Sequence, residues 1–218
     1  MTEHAPKSRF FKDNARAALA DANIQRAMRS TQAGFVGKRA NARAALPEFD
    51  ALRDAARDLK DHTLAHLDLY LERFEAQAKA AGTVVHWAED AEAARRIVLD
   101  ICRKAGAKAV NKGKTMVSEE IGLNAFLEEN GVSPVETDLG EYIIQLRCEP
   151  PSHIIAPAVH VTVPEIDTLF REVHTHLAKD RDLSEPRTML AEARGVLRQK
   201  YFEAEVGVTG ANMLVAET

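Results

Sequence analysis

Short apolar, β-branched runs alternate with longer helical segments over the second half of the chain, and this alternation constrains the fold more than any other feature. Predicted strands lie at residues 83–87, 108–110, 132–137 and 153–156, and predicted helices at 90–105, 118–130, 164–177 and 185–205. Connections of this length join parallel strands, because a tight hairpin can join only antiparallel neighbours. The sequence therefore predicts an α/β fold with a doubly wound parallel sheet.

The first part of the chain has a different sequence pattern. Residues 13–82 read as helix, with breaks near Gly34–Gly37 and at Pro47. Residues 47–81 carry an apolar stripe at three- and four-residue steps, which predicts one long amphipathic helix ended by Gly82. We therefore predict a helical N-terminal region at 1–82 and an α/β domain at 83–218. The apolar run from Val206 stops in mid-pattern, so we expect this domain to be incomplete and the chain to be a piece of a longer one.

Charge is unevenly distributed. Residues 1–47 hold nine Lys and Arg against three Asp and Glu, although the whole chain has 29 basic and 33 acidic residues. A basic, Ala-rich segment can be a targeting peptide or a nucleic-acid arm. We favour a helix whose positive face lies against an acidic body or an acidic partner, and we expect no nucleic-acid partner.

No run reaches the roughly 20 apolar residues that a membrane helix requires, and no apolar signal segment follows the start. A cytoplasmic protein without a membrane span is expected. Only two cysteines occur, Cys102 and Cys148, too few for a disulfide framework or for an iron-sulfur cluster built wholly from this chain.

The segment after the second predicted strand offers an anion site. Lys112 and Lys114 precede a helix, at the carboxyl edge of the sheet where open α/β folds bind ligands. A phosphate, carboxylate or pyrophosphate would suit the pair, although the spacing is not that of a P-loop. The structural alternative is a helix start capped by Thr115 or Ser118, with Glu119 and Glu120 in its first turn.

Two further segments carry chemistry-bearing groups. Carboxylates cluster at Glu136, Asp138 and Glu141, where like charges raise at least one pKa, and a solvated turn is the alternative. We predict Asp138 and Glu141 as pocket residues supported by Tyr142 and Gln145. Ser152, His153 and His160 flank the fourth predicted strand, where His153 is either an acid-base group or a histidine bonded to a backbone carbonyl.

Other motifs are weaker. No Gly-x-Ser-x-Gly elbow occurs, so we do not expect a serine hydrolase. His62 and His66 stand four apart on a helix without the glutamate of a zinc protease, and no metal site is expected. The glycine-rich run 207–212 would let a ligand approach the backbone, with Thr209, Gly210 and Asn212 as candidate contacts, or it is a tight strand entry.

Several of these segments together resemble the lactate-utilisation iron-sulfur protein family of the LutB type. The similar segments are 62–66, 112–124, 136–145, 151–160, 207–212 and 216–218, so the resemblance extends over essentially the whole chain. It brings Ser118, Glu120 and Asn124 into the set of candidate ligand-binding residues. It also adds Glu217 to the candidate catalytic residues Glu119, Asp138, Glu141 and His153, by analogy with a carboxylate of folds similar to CoA transferases.

The resemblance implies a cytoplasmic bacterial protein that oxidises L-lactate to pyruvate with two partner subunits. Its amino-terminal domain would be similar in fold to sugar-phosphate isomerases and CoA transferases, and a ferredoxin-like part would bind two 4Fe-4S clusters. That cysteine-rich part is absent from this sequence, so we expect no cofactor here and assign electron transfer to the full-length relative. The alternative is a domain that binds or transforms an anionic small molecule, and self-association through an exposed sheet edge is a further expectation.

Overall fold

Three short strands form a parallel sheet in the computed structural model, which describes residues 8–216. They are β1 (Ala109–Gly113), β2 (Ser133–Glu136) and β3 (Val206–Thr209). β1 lies in the centre, with β2 on one side and β3 on the other. The predicted α/β class with a parallel sheet is confirmed.

Helices make up most of the remaining structure. A 3₁₀ turn covers Ser8–Phe10 and a π-helical segment covers Gln32–Val36. The α-helices are α1 (Phe11–Ala20), α2 (Ala22–Thr31), α3 (Gly37–Ala44), α4 (Phe49–Ala65), α5 (Leu67–Ala80), α6 (Ala91–Lys104), α7 (Met116–Glu120), α8 (Leu123–Glu129), α9 (Leu139–Arg147), α10 (Val163–Val173) and α11 (Pro186–Glu203).

The strand register distributes apolar side chains to both faces of the sheet. Val110 pairs with Val206, so these side chains share one face, and Val135 lies on the other because neighbouring residues of a strand alternate. The first face packs on α6 and α8 through a core of Leu99, Cys102, Val110, Leu123, Leu127 and Val132. The second packs on α9, α10 and α11 through Val135, Tyr142, Ile143, Phe170, Leu183, Met189, Ala193 and Leu197. Helices therefore cover both faces, as a doubly wound sheet requires.

Two predicted strands are wrong. Residues 83–87 and 153–156 have no strand structure. Val84 and Trp87 are largely exposed, so the β-branched run lacks the packed neighbours on which β propensity depends. In the second segment the N–H groups of Ile155 and Ala156 donate to Nδ1 of His153 instead of to a neighbouring strand. The His153 side chain thus accepts hydrogen bonds that the backbone would otherwise make to a neighbouring strand.

Three predicted helices are shorter or divided. Gly122, at φ 64°, separates α7 from α8 within the predicted helix 118–130, because the left-handed conformation ends a helical turn. The long helix predicted for 47–81 is interrupted at His66, where φ is −127°. α10 ends at Val173 rather than near residue 177.

The chain divides into two compact units. One combines the described residues up to Thr31 with Ala91–Gly210 and contains the whole sheet. The other comprises Gln32–Asp90 and the described residues from Ala211 onward. In this second unit α3, α4 and α5 have no buried residues, and the stripe residues Leu52, Leu59 and Leu64 are more than half exposed. The predicted boundary at residue 82 stays a prediction.

Candidate functional site

The carboxyl ends of the strands form a cleft of about 500 Å³. β1 ends at Gly113 and β3 at Thr209, and the turn after β2 supplies Thr137 and Asp138. The residues that line the cleft include Gly113, Lys114, Thr137, Asp138, Tyr201 and Thr209. The structure thus brings together Lys114, Asp138 and Thr209, three residues that the sequence predicts for a ligand site at this edge.

Lys114 is the exposed cation of this cleft. Its backbone has a positive φ of 54°, and 69% of its side chain is exposed. The ammonium forms an ion pair with Oδ2 of Asp138, whose Oδ1 accepts the N–H of Gly140 and so caps α9. An exposed ion pair of this kind contributes little to stability, so the Lys114 ammonium can exchange its partner for another anion at low cost.

Lys112, by contrast, lies inside the protein. Its side chain is fully buried, and Nζ donates to Glu119 Oε1 at 3.0 Å, Asn124 Oδ1 at 2.6 Å and Glu136 Oε1 at 2.7 Å. Asn124 also donates through Nδ2 to Glu136 Oε1 at 2.8 Å. Because an ammonium group has three donors, this network leaves none for a ligand. Lys112, Glu119 and Asn124 are brought together, but as a buried polar cluster beneath one face of the sheet.

Glu141 lies in the first turn of α9, close to the cleft. Burial raises the pKa of its carboxyl, and the negative charges of Glu136 and Asp138 raise that pKa further. A hydrogen bond from the backbone of Lys114 acts in the opposite direction. Oε2 is buried and has no partner within the described residues. The raised pKa agrees with the sequence prediction for this carboxylate cluster.

Close backbone packing brings the end of β3 against the turn after β1. A Cβ added at Gly210 would lie 2.5 Å from the carbonyl oxygen of Lys114, and one added at Gly113 would lie 2.9 Å from Thr137 Oγ1. The Thr137 hydroxyl donates to the carbonyl of Lys112 at 2.6 Å. The two backbone segments therefore lie too close for any residue but glycine at position 210. This contact holds the end of β3 against the turn after β1, where the cleft lies.

The other predicted residues of α7 and α9 have structural partners. Thr115 caps α7, and Ser118 is buried with its hydroxyl donating to the Thr115 carbonyl at 2.7 Å. Glu120 is exposed at the end of α7. Gln145 donates to the Pro134 carbonyl and accepts the Glu136 N–H, so it covers the outer edge of β2.

The remaining predicted residues lie elsewhere. Asn212 is exposed in the second compact unit, and Glu217 lies outside the described residues. Ser152 and His160 come together in the loop between α9 and α10, where His160 also contacts Glu149. His153, in the same loop, accepts two backbone N–H groups through Nδ1, and both of its proposed alternatives, an acid-base group and a carbonyl-bonded histidine, stay untested.

A buried polar network beneath α9 was not anticipated from the sequence. The Tyr142 hydroxyl lies 2.9 Å from His174 Nε2, His174 Nδ1 lies 2.7 Å from Glu192 Oε1, and Arg181 Nε donates to Glu192 Oε2 at 2.6 Å. Burial acts to raise the pKa of Glu192, but hydrogen bonds from Arg181 and His174 outweigh it and hold the pKa below its usual value. Burial raises the pKa of Tyr142, as does the charge of Glu192.

This network removes Tyr142 from the cleft. Its ring is 2% exposed in the core between α9, α10 and α11. The only sequence signal for the network was a histidine, His174, at the end of an amphipathic helix, since Arg181 and Glu192 follow at no motif spacing.

Comparison with known proteins identifies the family. The LUD domain family matches residues 71–218, and the chain belongs to this family. It is 38% identical over 208 residues to lactate utilization protein B of Exiguobacterium sp., covering 95% of this chain and 43% of that protein. It is 38% identical over 213 residues to the protein of the same name from Bacillus pumilus, covering 97% of this chain and 44% of that protein.

A third relative, lactate utilization protein B of Macrococcus caseolyticus, is 39% identical over 209 residues, which cover 95% of this chain and 43% of that protein. The chain thus spans less than half the length of the curated relatives described here. No solved structure matches it significantly.

The residues of this chain do not fit an iron-sulfur cluster of the 4Fe-4S type. Such a cluster takes four Cys thiolates, and the chain has two cysteines, of which Cys102 is buried and Cys148 exposed. Among residues 8–216, no three His, Cys, Asp or Glu side chains are grouped so that they could hold a metal ion. No helix in the described part is long and apolar enough to cross a membrane.

Proposed function

We propose that this chain is the LUD-domain part of a bacterial lactate-utilisation protein, which acts in the cytoplasm in a complex that oxidises L-lactate to pyruvate. The observation that carries the proposal is 36–39% identity to proteins named lactate utilization protein B over at least 95% of the chain. In this proposal electron transfer through two 4Fe-4S clusters belongs to the parts of the full-length relative that this chain does not span, and sister subunits complete the complex.

A chimaera tests this role. The matching part of the Bacillus pumilus relative would be replaced by this chain and expressed in a strain that lacks the relative. Growth on L-lactate should return, and growth on glucose should be unaffected throughout. A chimaera that accumulates to normal levels and purifies with its clusters but does not restore growth on L-lactate would contradict the proposal.

Within the domain, we propose that the cleft at the carboxyl edge binds a small anion through Lys114. Three features support this role: the exposed ammonium, the neighbouring Thr209 of the same cleft, and a partner, Asp138, that an anion can displace. Lys112 takes no direct part, since its three donors are already used.

Calorimetric titration of this chain with L-lactate, pyruvate and inorganic phosphate tests the site. We expect heat of binding from at least one of these anions, and a loss of affinity of about tenfold or more in Lys114→Ala, as removal of one charged contact predicts. Lys108→Ala is the matched control, because Lys108 is an exposed lysine at the opposite end of β1. Equal affinity in the wild type and Lys114→Ala would remove Lys114 from the site.

A further inference from the structure

The loop between α9 and α10 places a hydroxyl, an imidazole and a carboxylate in one hydrogen-bonded row. Ser152 Oγ lies 2.7 Å from His160 Nδ1, and His160 Nε2 lies 2.9 Å from Glu149 Oε1. Arg147 Nε donates to the same Glu149 oxygen at 2.6 Å and fixes the position of the carboxylate. A hydroxyl, an imidazole and a carboxylate bonded in this order are the groups that activate a serine nucleophile.

The proton arrangement in this row is compatible with a base at His160. A neutral imidazole that donates its Nε2–H to Glu149 has an unprotonated Nδ1, and that nitrogen faces the Ser152 hydroxyl. In this tautomer the single hydroxyl hydrogen of Ser152 is donated to Nδ1, which is 2.7 Å from Oγ. The carbonyl oxygen of Pro157, 3.0 Å from Oγ, accepts that hydrogen when Nδ1 itself carries a proton.

Ser152 is also accessible and has unused donors beside it. Ser152 is exposed to solvent, whereas only 19% of the His160 side chain is exposed. The next two residues, His153 and Ile154, have backbone N–H groups that donate no hydrogen bond within the described chain, while the N–H groups of Ile155 and Ala156 are used by the His153 ring. Adjacent free N–H groups next to a nucleophile can stabilise an oxyanion.

The missing Gly-x-Ser-x-Gly elbow does not decide against such a centre. The elbow is how one fold presents its serine, and the same three groups recur on unrelated folds in other chain orders. Here the prolines around the loop and the hydrogen bond from the Ser152 N–H to the Pro157 carbonyl oxygen hold the serine in position.

We propose that Ser152, His160 and Glu149 form a nucleophilic centre that hydrolyses esters of small carboxylic acids. Ser152 Oγ bonds to the carbonyl carbon of the ester, and its proton passes to His160 Nδ1. The bond from that carbon to the alcohol oxygen breaks, and the alcohol leaves with the proton. Water then attacks the acyl-serine, giving one proton to His160 and releasing the carboxylic acid as Ser152 regains its hydrogen. Exposed Ile154 and Ile155 beside the serine offer an apolar contact to the acyl group.

Active-site labelling of the 218-residue chain with a fluorophosphonate probe, followed by peptide mass spectrometry, tests the proposal. The adduct should map to Ser152, and p-nitrophenyl acetate should be hydrolysed at a rate that the probe abolishes. Ser152→Ala should lose both signals, and His160→Gln should lower the labelling rate by about 100-fold or more, as loss of a general base predicts.

Glu149 acts through His160 as a positioning residue. Glu149→Gln should therefore slow labelling, and Glu149→Asp, which keeps the carboxylate, should restore part of the rate. Ser133→Ala, at an exposed serine on β2, is the matched control and should label normally.

Two results would overturn the proposal. One is the absence of any adduct on the folded wild-type chain, and the other is an adduct that maps to a residue other than Ser152. Mapping on the wild type gives an answer even where a variant fails to fold.

Discussion

Lys112 Nζ lies 2.7 Å from Glu136 Oε1, and the two residues are paired directly across neighbouring parallel strands. Both side chains are at least 95% buried, and Glu119 and Asn124 complete the network. Removing one partner of a buried ion pair leaves an uncompensated charge in the interior. Lys112→Met should therefore lower the free energy of unfolding by about 3–5 kcal/mol, measured by urea denaturation at neutral pH.

The matched control is Lys114→Met, two residues further along the chain. The Lys114 side chain is 69% exposed, so its substitution should change stability by less than about 1 kcal/mol. A second substitution, Glu136→Leu, added to Lys112→Met should recover part of the lost free energy of unfolding, because it removes the buried carboxylate that no longer has a cation. If Lys112→Met is as stable as Lys114→Met, the buried network has no structural role.

Part of this arrangement could be predicted from the sequence. Alternating helices and β-branched runs placed Lys112, Lys114 and Asp138 at the carboxyl edge of a parallel sheet, because all strands of such a sheet end on the same side. The sequence could not divide the two lysines into one buried and one exposed residue. Strand alternation alone would place both side chains on the same face, because the two lysines are two residues apart. The difference arises because β1 ends at Gly113 and Lys114 leaves the strand with a positive φ of 54°, an end point that the sequence does not define.

The loop between α9 and α10 shows why local pattern fails. Residues 153–156 have the apolar character of a strand, but the ring of His153 binds the backbone N–H groups that a neighbouring strand would need. Likewise, the contact of His174 with Glu192 joins residues 18 apart, and that spacing follows from the packing of α10 against α11. Propensity and short motifs carry no information about such long-range contacts.

Gly210→Ala should destabilise the protein through a steric clash. The added Cβ would lie 2.5 Å from the Lys114 carbonyl oxygen, and backbone atoms must move to accept it. We expect a loss of about 1–3 kcal/mol, typical of overpacking, and weaker anion binding because Lys114 moves. Gly207→Ala, on β3 three residues earlier, is the control, since nothing lies within 4 Å of its added Cβ. Equal urea midpoints for the two variants would contradict the close approach.

Glu141→Gln should stabilise the protein in a pH-dependent way. The pKa of Glu141 is raised in the folded state, chiefly by burial and then by Glu136 and Asp138, so the folded state binds its proton more tightly than the unfolded state does. The resulting destabilisation is absent below the ordinary carboxyl pKa of about 4.5 and grows as pH rises through the folded pKa. Urea denaturation should show Glu141→Gln more stable than the wild type at pH 7 and equal at pH 4. A constant difference at both pH values would exclude this cause.

The two cysteines should differ in reactivity. Cys102 is fully buried, and burial raises the pKa of its thiol, whereas Cys148 is exposed at the end of α9. Only the thiolate reacts with iodoacetamide, so the native chain should gain one adduct, at Cys148, and a second only in denaturant. Peptide mass spectrometry distinguishes the two sites. Rapid labelling of Cys102 in the native chain would mean that the core around β1 opens readily.

Tyr142→Phe measures how much the tyrosine hydroxyl contributes to the buried network between α9 and α11. The hydroxyl lies 2.9 Å from His174 Nε2, and its removal leaves that nitrogen without a partner in the interior. An unpaired buried acceptor costs about 1–3 kcal/mol, so the urea midpoint should fall accordingly. Tyr201→Phe, at a tyrosine that is 53% exposed, should change stability by less than about 0.5 kcal/mol. If Tyr142→Phe proves as stable as the wild type, His174 does not depend on the tyrosine hydroxyl, and the network is held by Glu192 and Arg181 alone.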